Sequence, residues 1–437
     1  MAKVKIQGHA SGTGVLTVTA PNTSTDRTIT LPDATGSLLT SADVPITTSA
    51  DNNIGLGSGA VDSITTGDHN TGVGVNALTA TTTGSSNVAM GRESLDANTT
   101  GYENTGIGYQ ALTSNTTAFK NTAVGNKALQ SNTTGATNTA VGWEAAKTST
   151  TAENVAAFGY QAAQDNTASN ITALGTNALM ENTSGADCVA VGHNALKSNT
   201  TGGQNSAFGR EALKLNTTAT ENTAVGFKAL TSQTSAGFMN TAMGHEVLKA
   251  NTSGDSNVGV GFKALLDNTT ANENTAVGAN ALLATTSGSF NSALGYEALN
   301  DVTTGSNNTA IGINAGNTHT TANQCVYIGN GAGSGRNTTD SYQLYIARDN
   351  SANSNAGVWI YGNSGGACYQ GNNSSSWSTG SDERIKKDIV DSSDGLAKID
   401  AIKVRNFNYR TPEEITVDGL TGCDATGLQT GVIAQEI

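Results

Sequence analysis

The sequence predicts an all-β protein whose body is a parallel β-roll or β-solenoid shaft of about seventeen 17-residue coils. Three observations carry this. First, a glycine preceded by a bulky apolar residue recurs from Gly57 and Gly74 through Gly312 and Gly329; fourteen of its sixteen intervals are 17 residues, and the others are 16 (Gly159 to Gly175) and 18 (Gly226 to Gly244). So strict a period means stacked copies of one small unit. Second, all four prolines (Pro21, Pro32, Pro45, Pro412) lie outside residues 46–411, as expected where nearly every rung uses its backbone N–H. Third, aromatic residues make up 5% and charged residues 13% of the 437, so the coils are thin, with room inside for small and medium side chains.

A representative unit is Asn121-Thr-Ala-Val-Gly125-Asn-Lys-Ala-Leu129-Gln-Ser-Asn-Thr-Thr-Gly135-Ala-Thr. Counted from the marker glycine, position −1 is always Val, Ile, Leu, Met or Phe, and −2 is almost always Ala or Gly. The alternation predicts a short strand with −3 and −1 on one face and −2 on the other. The Ala-Leu pair at +3 and +4 predicts a second short strand after a tight turn. Positions −3, −1 and the +4 leucine are expected to fill the coil, and the small −2 residue to admit a neighbouring chain. The N-T-T-G segment reads as turn chemistry in which Gly and Asn take positive φ. Asn occupies −4 in thirteen of seventeen coils, which predicts an amide ladder. At about 4.8 Å per rung the shaft would be roughly 80 Å long.

The remaining chemistry signals are sparse. The formal charge is −13 with no Lys/Arg cluster in the repeat, which argues against nucleic acid. No stretch approaches the length of a membrane span, and the start, MAKVKIQGHASGTG, lacks the apolar core of a secretory signal, so synthesis in a cytoplasm is expected. Cys188 and Cys325 occupy the −4 slot and read as small buried fillers. His193 and His245 are expected on the surface without partner ligands, and Gly329–Gly335 lacks the Lys-Ser/Thr of a phosphate loop. No cofactor and no metal is implied.

The ends differ from the shaft. Residues 1–50 contain two β-patterned runs, Val15–Thr19 and Arg27–Leu31. Residues 336–380 gather six Tyr and Trp residues; they read as an interwoven β-region with aromatics on a threefold axis, or as a glycan-binding tip in which Trp359, Tyr361 and Trp377 offer ring faces to sugars. Residues 381–437 form a small α+β segment with a helix expected over Gly395–Ile402.

Three resemblances sharpen these readings. The N-T-A-V-G…A-L unit, over residues 53–333, resembles the left-handed parallel β-roll repeats of trimeric bacterial adhesin heads, whose motif is close to N-S-V-A-I-G. The T-I-T-L-P-D-A-T-G-S-L-L stretch is similar to the segment by which many phage tail fibres dock on the virion. Ser381-Asp-Glu-Arg-Ile-Lys-Lys-Asp-Ile389, followed by Asn406-Phe-Asn-Tyr-Arg410 and Gly431-Val-Ile-Ala-Gln-Glu-Ile437, resembles the peptidase S74 intramolecular chaperone of phage fibres and tailspikes. That family holds three chains together while the shaft folds and is then cut at its first serine. The resemblance implies Ser381 as nucleophile and Lys386 as its base.

Together these imply a homotrimeric tail fibre on the virion, made in the host cytoplasm. It would attach to tail or baseplate proteins through residues 1–50 and adhere to a host glycan or outer-membrane receptor, with no nucleic acid and no membrane insertion. A bacterial adhesin head, an ice-binding β-solenoid and a glycan depolymerase are the alternatives. The ice-binding one is disfavoured because Thr at −3 is expected inside.

Overall fold

The structure is a computed structural model; it describes residues 4–7, 15–18, 46–48, 52–335, 339–347, 357–370, 404–407 and 429–432. It separates into two units, residues 1–373 and 374–437. Among the described residues there is no α-helix, and the expected segments Arg27–Leu31 and Gly395–Ile402 lie outside them. In the first unit, β1 (Val4–Gln7) pairs antiparallel with β2 (Val15–Val18). β3 (Ile46–Thr48) lies antiparallel on β4 (Ile54–Leu56), which opens the shaft.

From β4 to β20 (Val326–Ile328), each strand pairs in parallel with the strands one coil before and after it. Marker positions stay aligned, as in Thr122↔Thr139, Ala123↔Ala140 and Val124↔Val141. The short coil still pairs Val155 with Ile171, and the long one pairs Thr223 with Thr241. Both length changes fall in the loop after +7. There the Asn166 side chain donates to a carbonyl two residues on, at Ala168, rather than three. The loop absorbs the change and the strand keeps its register, which matters because a one-residue slip would turn every side chain over.

Each coil holds one strand of three residues, four in β10 (Val155–Phe158) and β11 (Ile171–Leu174), and not two. The expected second strand at +3 and +4 is a turn. Its leucine takes the left-handed conformation, as at Leu129 (φ 49°) and Leu213 (φ 50°), and so do +2 and −5. The N-T-T-G glycines, such as Gly135, do not have positive φ, contrary to expectation. A left-handed leucine costs roughly 1–2 kcal/mol, and burying it recovers about 1.5–3 kcal/mol. Burial offsets the strain. The turns also couple coils, since the N–H of Leu129 donates to Ala145 of the next coil (3.0 Å) and that of Lys127 to Tyr109 of the previous one (2.8 Å).

The inside and outside of the strand are the reverse of expectation. Ala123, Ala140, Ala190 and the other −2 residues are fully buried, with the +3 alanines and +4 leucines. The −3 and −1 residues face out. The cause is the gap between strand and turn. A Cβ added to Gly106 at −2 would lie 2.6 Å from Ser94 Oγ and 3.4 Å from Leu95 Cδ1, so even a methyl group there needs its neighbours to shift, and at the other −2 positions of the shaft's middle alanine is the most the gap takes. A valine or phenylalanine of position −1 cannot fit there.

Volume is exchanged between rows where the pattern varies. Ala146 and Ala163 replace leucine at +4, and the −4 slots that follow hold Val155 and Ile171, buried in the same cluster. At the far end Gly316 and Gly333 take the +4 position; a Cβ on either would meet the ring of Tyr327, the bulky residue that stands at −2 between them.

Candidate functional site

Two amide columns run inside the shaft. In the −4 column, Oδ1 of each Asn accepts the main-chain N–H of the residue one coil on, as from Asn138 to Asn121 (2.9 Å), and its Nδ2 donates to a loop carbonyl (Asn121 to Gly135, 2.9 Å). The expected ladder is thus present, and it is structural. Cys188 and Cys325 are buried in this column; Cys188 Sγ lies 3.3 Å from the Gly202 carbonyl in the place of the amide. Sequence reasoning overlooked a second column at +7. Asn115 donates to Asn98 (2.8 Å), Asn132 to Asn115 (3.0 Å), Asn199 to Asn182 (2.7 Å) and Asn216 to Asn199 (2.7 Å). The signal was there, since Asn recurs at +7 in nine of seventeen coils, but its place in N-T-T-G made it look like a loop residue.

The outward face of the strand is a uniform surface that repeats on every rung. All seventeen −1 positions are apolar, and Met90, Phe158, Phe208, Met243 and Leu294 are each 40–52% exposed. No charged residue occurs at any −1 or −3 position. The threonines of −3 belong to this face and are not internal, which removes the ground on which ice binding was disfavoured. The bulk of Met90, Phe158 and Phe208 nevertheless breaks the flatness a threonine array needs. Beside this face the +1 row carries stacked surface aromatics, Trp143 on Tyr160 (4.9 Å) and His245 between Phe227 (5.1 Å) and Phe262 (5.3 Å). His193 and His245 are exposed, and no metal-holding group occurs among the described residues.

The aromatic end continues the core. β21 (Leu344–Ala347) adds one more parallel rung, and β22 (Val358–Gly362) and β23 (Cys368–Gln370) follow antiparallel. Tyr327, Tyr345, Tyr361 and Tyr369 stack at centroid spacings of 6.1, 6.4 and 5.0 Å. The register shift between Ile346 and Ala347 leaves Trp359 pointing out, 62% exposed, while Tyr361 joins the stack with a ring on each face. Trp359 and Tyr361 therefore do not form one sugar platform. A shallow cavity of about 570 Å³ is lined by Asp340, Tyr342, Gln343, Asn363 and Ser364, with neither Trp359 nor Tyr361 among its walls. Buried His319, at +7, packs on Tyr327 (4.6 Å), and burial lowers its pKa below the ordinary value.

In the second unit, β24 (Val404–Phe407) pairs antiparallel with β25 (Gln429–Val432), so two of the three motifs singled out near the C-terminus meet across one ladder, with Asn406 opposite Thr430 and Arg405 opposite Gly431. Ser381, Lys386 and Trp377 lie outside the described residues.

The family model of the peptidase S74 chaperone of endosialidase matches residues 381–437. No curated protein and no solved structure matches the chain. A C-terminal chaperone of this kind, carried with a β-solenoid shaft, fits a protein of the phage tail-fibre or tailspike type.

Proposed function

We propose that this chain is a homotrimeric phage tail fibre that adheres to the bacterial host surface. The observation that carries the reading is the coupling, in one chain, of a solenoid of about seventeen coils to an S74-type chaperone segment. A shaft built from backbone pairing has open edges and can lock one rung out of step; a C-terminal clamp that aligns three chains removes that error. Residues 1–50 would attach to tail or baseplate proteins. Exposed Trp359 and the polar cavity beside Tyr342 and Asn363 offer an aromatic surface with amide and carboxylate partners, the chemistry that holds a glycan. Ser381 would cleave its own peptide bond, with Lys386 taking the hydroxyl proton.

The experiment is adhesion of the labelled full-length protein to a panel of bacterial strains, with periodate-treated and protease-treated cells in parallel. Strain-dependent binding that periodate abolishes supports a glycan receptor, and loss on protease treatment a protein receptor. Equal binding to every strain, or to none, would overturn the adhesion reading.

A further inference from the structure

The outward strand face has no partner among the described residues, and its composition is extreme. Across seventeen coils it offers two adjacent rows, β-branched or small at −3 and Val, Ile, Leu, Met or Phe at −1, without one charge. Charged residues stand on the neighbouring rows instead, such as Glu93, Lys127, Glu144 and Lys228 at +2. Summed along the shaft, the face presents on the order of 1,000 Å² of mostly apolar surface, well above the largest patch usual on a monomer and near the ~800 Å² per partner of a stable interface.

We infer that this face is the seam by which three copies of the chain join, with the −1 rows turned toward a common axis. The inference rests on the trimer reading above and adds the surface that makes it. Three observations favour a second copy as the occupant. The face repeats once per rung in unbroken register, so only a partner with the same rung spacing can match it rung for rung. It runs the whole length of the shaft, as would the contact between chains clamped parallel at one end. Its rows alternate in size, so that the smaller −3 row of one chain can receive the −1 row of the next, a heterologous contact that closes as a ring of three. The glycines and alanines at −2 face the coil interior and make no part of this contact.

The test uses the full chain with Cys368→Ser and Cys423→Ser as background, since Cys188 and Cys325 are buried. Val141→Cys and Val225→Cys place a thiol at −1, while Thr134→Cys and Thr218→Cys place one on the exposed +9 row. Each is treated with a short bis-maleimide and read on denaturing gels, with sedimentation giving the assembly mass and circular dichroism the fold. The −1 thiols should link into chain dimers at least about tenfold faster than the +9 thiols, because neighbours held on an axis have millimolar effective concentration. A background protein that sediments as three chains, with linking at +9 and none at −1, would overturn the seam and leave the trimer intact. A background protein that sediments as one chain would overturn the trimer reading itself.

Discussion

Asn87 sits one coil beyond Asn70, and Oδ1 of Asn70 accepts both its main-chain N–H and its side-chain amide, each at 3.0 Å. One buried oxygen thereby holds two donors of the next coil, and the same Asn87 side chain passes the arrangement on to Asn104. The −4 column is how so thin a coil carries amides in its core without leaving them unsatisfied, whereas at +7 Asn132, Asn216 and Asn268 each keep an Oδ1 without a donor.

Asn104→Ala should therefore be expensive. It leaves the buried Asn121 N–H without its acceptor (3.0 Å), while the Ala118 carbonyl loses the Asn104 amide (2.8 Å) and keeps that of Asn115 (3.2 Å). One buried donor left unsatisfied costs about 1–3 kcal/mol. Denaturant unfolding of the variant beside wild type measures this; a change within 0.5 kcal/mol, to order of magnitude the value for a bland surface site, would contradict the column's role.

The +7 column can be improved. Asn268 Oδ1 has no donor because the next coil holds Thr285, whose hydroxyl is likewise unpartnered. Thr285→Asn places an amide between Asn268 and the Gly288 carbonyl in the geometry Asn268 itself uses toward Asn251 (2.9 Å) and Ala271 (3.2 Å). The expected gain is about 1 kcal/mol, visible as a raised thermal midpoint.

Gly261→Ala should disrupt the shaft locally. Its φ of 131° is one that side chains rarely adopt, and an added Cβ would lie 2.6 Å from the Gly278 carbonyl oxygen. The two effects together should cost roughly 3 kcal/mol, read as earlier proteolysis at that coil.

Acid should loosen the C-terminal end of the shaft first. His319 is buried with a lowered pKa, so the unfolded chain takes its proton at a higher pH than the folded one. Its contribution is complete above the ordinary histidine value, about 6.5, and is lost as pH falls below it toward the folded value. The groups facing it are the Tyr327 ring and, at longer range, Asp340. Hydrogen exchange should show the coils around residue 319 opening more readily at pH 5 than at pH 7, and His319→Asn, the residue usual at +7, should remove that difference.

Autocleavage at Ser381 is checked by size. Wild-type protein boiled in detergent should run as a fragment ending near residue 380, and Ser381→Ala as the full chain. A full-length boiled band in both would show that the segment is retained. Loss of a slow, detergent-resistant species on boiling would accompany the trimer in either case.

Much of this architecture could be read directly from residue spacing. The interval between marker glycines fixed the coil length, the exclusion of proline foretold continuous backbone pairing, and Asn at −4 foretold a ladder that Asn121 and Asn138 display. The errors have a common physical origin. Leu129 was assigned to a strand because leucine is not expected at φ 49°, and only burial against the neighbouring coils makes that conformation tolerable. Asn132 was taken for a loop residue because a local motif cannot reveal that its side chain points along the axis to Asn115. Tyr361 and Trp359 were grouped for their proximity, and the bulge that parts them is a register property of paired strands.

The amino-acid order by itself determined the repeating unit, the all-β character and the division of each strand into a small-residue face and a bulky one. It did not determine which of those faces lies inside. Alternation with period two is symmetrical in that respect, and hydrophobicity favoured the wrong side. The closed coil decided it: across the gap from Ala123 stands the +4 leucine of the turn, leaving space for a methyl group, so the larger side chains of position −1 are directed outward along the length of the shaft.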